Sequence, residues 1–176
     1  GRLIPLTLIH LWDPVLAAEE VRRCADKGSF TIAFSENPSK LGFPSLYSGE
    51  WDVMLQVCQD TDTTLSMHIG SSSSMPTTAP DAPLATSMSL YAQNAQGSVC
   101  DWVFSGRLSM FPKLKLAYAE SQAGWMPFQF ERMDSVWRDG VGDVNLPQAP
   151  SEIAKGRIYA CVFDDLHGLR TREWVG

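Results

Sequence analysis

The sequence predicts an α/β fold in which about five parallel strands alternate with helices, and three observations predict it. Five times a short apolar run ends in ionisable or amide side chains and then opens into a turn: LTLIHLWD, FTIAFSENP, TLSMHIGSSS, LKLAYAESQAGW and RIYACVFDDLHG. Between these runs lie segments with the 3.6-residue apolar period of a helix, and strands that alternate with helices imply right-handed βαβ units on a parallel sheet. Finally, 176 residues that are 44% hydrophobic and 19% charged supply one sizeable core and do not describe a disordered chain.

The elements follow in order. The opening LIPLTLIHLW is too short to span a bilayer and lacks a basic lead and a small-residue cleavage site, so it reads as a buried strand. Asp13 and Pro14 form an N-cap with proline at the first helical position, and Leu16, Val21, Cys24 and Ala25 repeat on one face until Gly28 closes the helix. Residues 30–34 form the next strand. Trp51, Met54, Leu55 and Cys58 then give the i, i+3, i+4, i+7 spacing of an amphipathic helix, with Glu50 and Asp52 at its positive end.

The run TLSMH is apolar enough for a strand buried on both faces. Residues 70–83 have no apolar period and several prolines, which predicts a long exposed loop. A helical region spans 84–111, broken near Gly97 or Gly106, before Pro112 ends it and residues 114–119 form a strand. Met126, Phe130, Met133 and Trp137 line a further helix, residues 139–151 form a second loop, and residues 157–163 form the last strand.

Charge and cysteine usage narrow the function. A net charge of −6, with the 14 lysines and arginines scattered, disfavours nucleic acid and points to a small-molecule partner. The same composition argues against a membrane partner, whereas association between copies of the chain stays open. Cys24, Cys58, Cys100 and Cys161 never pair as CxxC, and each sits in an apolar segment. They are expected to be reduced core thiols of a cytoplasmic protein.

The carboxyl ends of parallel strands are where α/β proteins place their chemistry, and here they carry His10, Glu36, His68, Glu120, Asp165 and His167. His68 is either a metal ligand, with its second ring nitrogen held by a backbone or carboxylate partner, or a hydrogen-bonded histidine that closes a strand. Glu120 ends the next strand. Neighbouring strands lie about 4.8 Å apart, so the two side chains can converge on one ion; the alternative is a carboxylate that caps the following helix. Glu36 precedes Asn37 and Pro38 and is a base, a carboxylate that supports a metal ligand, or simply part of a turn. Asp164, Asp165 and His167 form either an acid-rich functional tip or a charged surface loop. Trp12, Tyr47 and Trp125 near the tips suit a flat ring or ordinary packing.

RLIPLTLIHLWDPVLAAEEVRR, IAFSENPSKLGFPSLYSGEWD, SMHIGSSS, LKLAYAESQAGWMPFQFERMD and YACVFDDLHGLR, in this order, resemble the metal-dependent hydrolases of the amidohydrolase-related group that includes aminocarboxymuconate semialdehyde decarboxylase. The resemblance covers nearly the whole chain and implies a (β/α)₈ TIM barrel. It also implies hydrolysis or nonoxidative decarboxylation of a small carboxylated, often aromatic, substrate at a divalent metal, commonly zinc. On this resemblance His68 matches the metal histidine that ends the fifth barrel strand. Glu120 occupies the tip of the sixth, where decarboxylases of the group usually carry a second histidine. Glu36 and His167 would be catalytic groups beside the substrate.

The HxH pair of the first strand and the SDYPH-like segment of the eighth are absent from the sequence. Residues 1–176 are therefore expected to form a single incomplete TIM-barrel domain, approximately strands three to seven, and to be inactive alone. The opening Gly1 and the closing TREWVG fit a segment of something longer. Two other readings stand beside this one: a noncatalytic small-molecule binding α/β domain, as on a doubly wound sheet, and an inactive fragment.

Overall fold

Parallel strands alternate with helices along the chain in the computed structural model, which describes residues 3–174. Gly1 and the closing Val175 and Gly176, which bear on the expectation about the termini, lie outside the described residues. The strands are β1 (Thr7–Leu8), β2 (Thr31–Phe34), β3 (Thr64–His68), β4 (Leu116–Ala119) and β5 (Ile158–Ala160), and they pair in the order β1-β2-β3-β4-β5, all parallel. Sequential order has no switch point, which excludes the doubly wound sheet and agrees with a barrel wall.

The alternation of side chains in the strands decides which face the helices cover. Ile32, Phe34, Leu65, Met67, Leu116 and Tyr118 are fully buried. They pack with Val21 of α1 (Pro14–Ala25), with Met54 and Leu55 of α2 (Asp52–Asp60), with Val99 and Trp102 of α4 (Gln93–Phe104), and with Met126 and Met133 of α6 (Met126–Arg138). The opposite face carries the register row Leu8, Ala33, Ser66, Ala117 and Tyr159. That row has no helix over it: Leu8 is 81% exposed and Tyr159 51%.

The local signals account for most elements. The Asp13 side chain accepts from Val15 N at 2.8 Å and Leu16 N at 3.1 Å, so α1 begins where the cap predicts. Trp51, Met54, Leu55 and Cys58 are all buried, as their spacing requires. The helical region after residue 83 divides into α3 (Leu84–Leu90), α4 and α5 (Arg107–Met110). Its breaks fall at Tyr91 and at Gly106, whose φ of +77° closes α4, while Gly97 stays inside α4. Two shorter helices, α7 (Pro150–Ala154) and α8 (Leu166–Thr171), flank β5.

Several expectations are corrected. The first run forms only a two-residue strand, and Leu3, Ile4, Leu6 and Leu8 are exposed, because the run lies at the sheet edge and Pro5 has no N–H to give to a ladder. Leu16 lies on the outer flank of α1, with Ala17 and Ala18 taking the buried positions. Cys24 and Cys58 are buried and Cys100 is partly so, whereas Cys161 is exposed just beyond the end of β5. The loop after β3 is not wholly exposed either, since Ser72 is 1% exposed.

Candidate functional site

His68 ends β3 on the helix-free face, because Leu65 and Met67 take the buried positions and side chains alternate. Its register partner is Ala119, so the next residue along β4, Glu120, comes up beside it. Glu120 has φ +59° and Gln122 has φ +58°, left-handed conformations that residues other than glycine rarely adopt. That backbone places Glu120 Oε2 3.6 Å from His68 Nε2, with both side chains more than half exposed.

The hydrogen bond on the other imidazole nitrogen defines the chemistry of this pair. His68 Nδ1 lies 2.7 Å from the Ile69 carbonyl oxygen. A carbonyl only accepts, so Nδ1 carries the proton and donates, and Nε2 presents a lone pair toward the Glu120 carboxylate. Two acceptors that face one another repel unless a proton, a metal ion or solvent donors satisfy them, and a cation between them satisfies both at once. Two ligand atoms each about 2.1 Å from one tetrahedral ion are about 3.4 Å apart, close to the observed separation. Backbone fixing of the remote histidine nitrogen is also what metal-binding histidines require. The pair therefore fits two ligands of a divalent ion. Among the described residues no third His, Cys, Asp or Glu joins them.

A cavity of about 540 Å³ opens beside this pair, within the range of small-molecule sites. Glu120, Gln122 and Asp164 are among its polar lining residues, and Met75, Tyr91 and Phe163 among its apolar ones. Trp12, Tyr47 and Trp125 are not among its lining residues. Trp12 stacks edge-on with His10, the Tyr47 hydroxyl donates to Asp101, and Trp125 Nε1 donates to the Ser121 and Gln122 carbonyls.

Glu36 lies apart from the mouth, 1% exposed. Its Oε1 accepts from Gly70 N, Ser72 Oγ and Asn94 Nδ2, each at 2.9 Å, and its backbone N–H donates to Ser71 Oγ at 2.9 Å. Ser35 Oγ donates to the Ser71 carbonyl, and Asn94 Nδ2 reaches the Ser74 carbonyl as well. The run of four serines is thus a cradle that laces the loop after His68 onto the tip of β2. Sequence reasoning singled out that run only as unusual composition; a cluster of hydroxyls directly after a strand tip was the available signal.

His167 is exposed on the first turn of α8, and its ring lies close to Gly124. The mouth cavity is lined by neither Glu36 nor His167. The better-placed residue of that tip is Asp165, which caps α8 by accepting from Gly168 N at 2.7 Å and also accepts from Ala123 N at 2.7 Å and Gly124 N at 2.6 Å. Burial alone would raise its pKa, but the N–H donors of Gly168, Ala123 and Gly124 and the nearby His167 outweigh it and hold the carboxyl below its ordinary value. Asp165 thereby joins the tips of β4 and β5. Gln122 strengthens that junction, donating from N to the Cys161 carbonyl at 3.2 Å and accepting from Phe163 N at 3.3 Å.

No protein-family model and no curated protein sequence matches the chain. Solved structures do match it. It is similar to 5-carboxyvanillate decarboxylase from Sphingomonas paucimobilis, with 17% identity, a TM-score of 0.69, and coverage of 90% of this chain and 48% of that one. For 5-carboxyvanillate decarboxylase from Novosphingobium aromaticivorans, solved with bound manganese and a nitrobenzoic acid, the figures are 16%, 0.67, 90% and 47%. For 2,6-dihydroxybenzoate decarboxylase from Rhizobium they are 16%, 0.66, 90% and 51%. The chain spans about half the length of these structures, and its fold is that of part of a (β/α)₈ barrel.

Proposed function

We propose that the chain forms part of the catalytic barrel of a metal-dependent decarboxylase or hydrolase acting on a small aromatic carboxylate. The observation that carries this reading is the facing pair of acceptors, His68 Nε2 and Glu120 Oε2 at 3.6 Å, a separation that suits two ligands of one cation. A catalytic divalent site uses three protein ligands and an open position. The two residues here supply two of them, and further barrel strands beyond this stretch of chain supply the rest.

A bound divalent ion would act as a Lewis acid toward the substrate's carboxylate or toward water. The chain's own residues do the remaining work. His68, with Nδ1 committed to Ile69, keeps Nε2 in the ligating state. Glu120 contributes negative charge at the mouth, while Tyr91 and Phe163 supply aromatic lining against which a ring would rest. Glu36 holds the loop that carries Met75, and Asp165 holds the tips of β4 and β5, so both act through position.

The similar decarboxylases act on aromatic carboxylates, and one is solved with manganese, which supports manganese beside zinc as the ion. The test is metal analysis of the full-length protein, of which this chain is proposed to be part, after dialysis against zinc or manganese, repeated for His68→Ala and Glu120→Gln. The reading expects a bound divalent ion whose affinity falls at least about tenfold in each variant. An ion-free protein, or unchanged affinity in both variants, overturns it.

A further inference from the structure

Two residues at the tip of β4 hold left-handed backbone, Glu120 with φ +59° and Gln122 with φ +58°, and both line the mouth cavity. Glycine takes that conformation freely, whereas a longer side chain holds it only where the surrounding structure enforces it, as functional sites often do. Glu120 is one of the two proposed ligands. Gln122 takes no part in that pair, yet it keeps a long side chain at a position that suits glycine.

The polar atoms of Gln122 are committed with one exception. Its backbone N–H donates to the Cys161 carbonyl at 3.2 Å, and its carbonyl accepts from Trp125 Nε1 and Ser121 Oγ, each at 3.0 Å. Its side-chain Oε1 accepts from Phe163 N at 3.3 Å. That bond also fixes the orientation of the amide, because a backbone N–H only donates and the atom it meets must be the oxygen. Nε2 is left with two N–H groups that have no partner among the described residues, and it is not buried. Donors are scarce at the mouth. Glu120 and Asp164 only accept when ionised, and Ser89 Oγ donates to the Ala85 carbonyl, which leaves the Tyr91 hydroxyl and the Gln122 amide as the free side-chain donors of the lining.

We propose that Gln122 determines specificity at the mouth by donating from Nε2 to an oxygen acceptor on the ring of the bound carboxylate. The inference rests on the reading of the mouth as a site for an aromatic carboxylate held by a divalent ion, and adds a preference for rings that carry such an oxygen over rings of the same shape without one. A site built to hydrogen-bond an oxygen disfavours the analogue lacking it, because the donor is then left unpaired. The strained backbone and the bond to Phe163 hold the amide in place beforehand, so little further ordering is needed on binding.

The test takes the full-length protein, of which this chain is proposed to be part, loaded with manganese, and measures by calorimetry its affinity for the ortho, meta and para methoxybenzoates and for the ethylbenzoates of matching shape. An ether oxygen accepts and a methylene does not, so the ratio of the two affinities reads the donor alone. In Gln122→Gly, which suits the left-handed backbone, the ratio should fall about 3–10-fold for at least one isomer, the size expected of one hydrogen bond, with metal affinity unchanged. Gln122→Glu removes both donors but keeps an acceptor for Phe163 N, and should show the same fall, since the repulsion its charge adds is common to both members of each pair. A role confined to joining the strand tips would leave the ratio intact in this variant. Should Gln122→Gly fail to fold, Gln122→Glu decides alone. Ratios unchanged in every isomer overturn this inference alone, as does a metal affinity that falls in Gln122→Gly. A loaded protein that binds none of the compounds overturns the aromatic carboxylate and this inference with it, and an ion-free parent protein overturns the divalent reading on which both stand.

Discussion

At the scale of single residues, the tips of β4 and β5 depend on one carboxylate and two glycines. Asp165 accepts three backbone N–H groups, and Gly124 and Gly168 allow that close approach. A Cβ at Gly124 would meet Asp165 Oδ1 at 2.7 Å. Gly124→Ala is therefore expected to destabilise the protein by about 1–3 kcal/mol, read from its denaturation midpoint, and an unchanged midpoint would refute the clamp. The same carboxylate sets a pH dependence. Its folded-state pKa is lowered, so its contribution is fully present above the unfolded value of about 3.9 and is lost as pH falls through the lower folded value. Asp165→Asn should flatten the acid limb of stability in that window and leave neutral pH dependence unaltered, as acid titration of unfolding would show. His68 and Glu120 were legible in the sequence as neighbouring strand tips. Asp165 could not be told from a charged surface loop, because two of its three partners are backbone N–H groups of Ala123 and Gly124, about forty residues away, and leave no side-chain pattern.

At the scale of elements, the loop after β3 is ordered by side chains from two other elements. Asn94 of α4 donates both to Glu36 Oε1 and to the Ser74 carbonyl at 2.7 Å, so it joins helix, loop and strand tip. Asn94→Ala removes a hydrogen bond to a charged group and another to a carbonyl, and should cost about 1.5–3 kcal/mol. Amide hydrogen exchange gives the sharper reading. Residues 70–75 should lose protection in this variant while β3 and α2 keep theirs, and uniform loss would mean that the loop is not held locally. The helices were legible because apolar periodicity and caps such as Asp13 are local signals. The shortness of β1 and the order within residues 70–83 were not, because edge position and long-range polar contacts decide them.

At the scale of the whole molecule, the sheet has one face under helices and one without. The strand order without a switch, together with coverage of only about half of the similar solved barrels, relates the open face to a barrel interior. Over the described residues β1 and β5 are the sheet's edges, and each presents apolar side chains: Leu6 and Leu8 at one, Tyr159 and Phe163 at or near the other. Unpaired strand edges beside exposed apolar groups are templates for pairing with another chain. This stretch of chain, produced alone, should therefore associate as its concentration rises. Leu8 is 81% exposed at the edge strand, so Leu8→Lys removes apolar surface without opening a cavity. An inserted lysine is also a device by which natural edges resist pairing. Sedimentation velocity should show Leu8→Lys shifted toward monomer, with a melting temperature within about 2 °C of the parent at low concentration. Equal association of the two forms would show that contact is made elsewhere, and a large fall in melting temperature would show that Leu8 is packed within the fold.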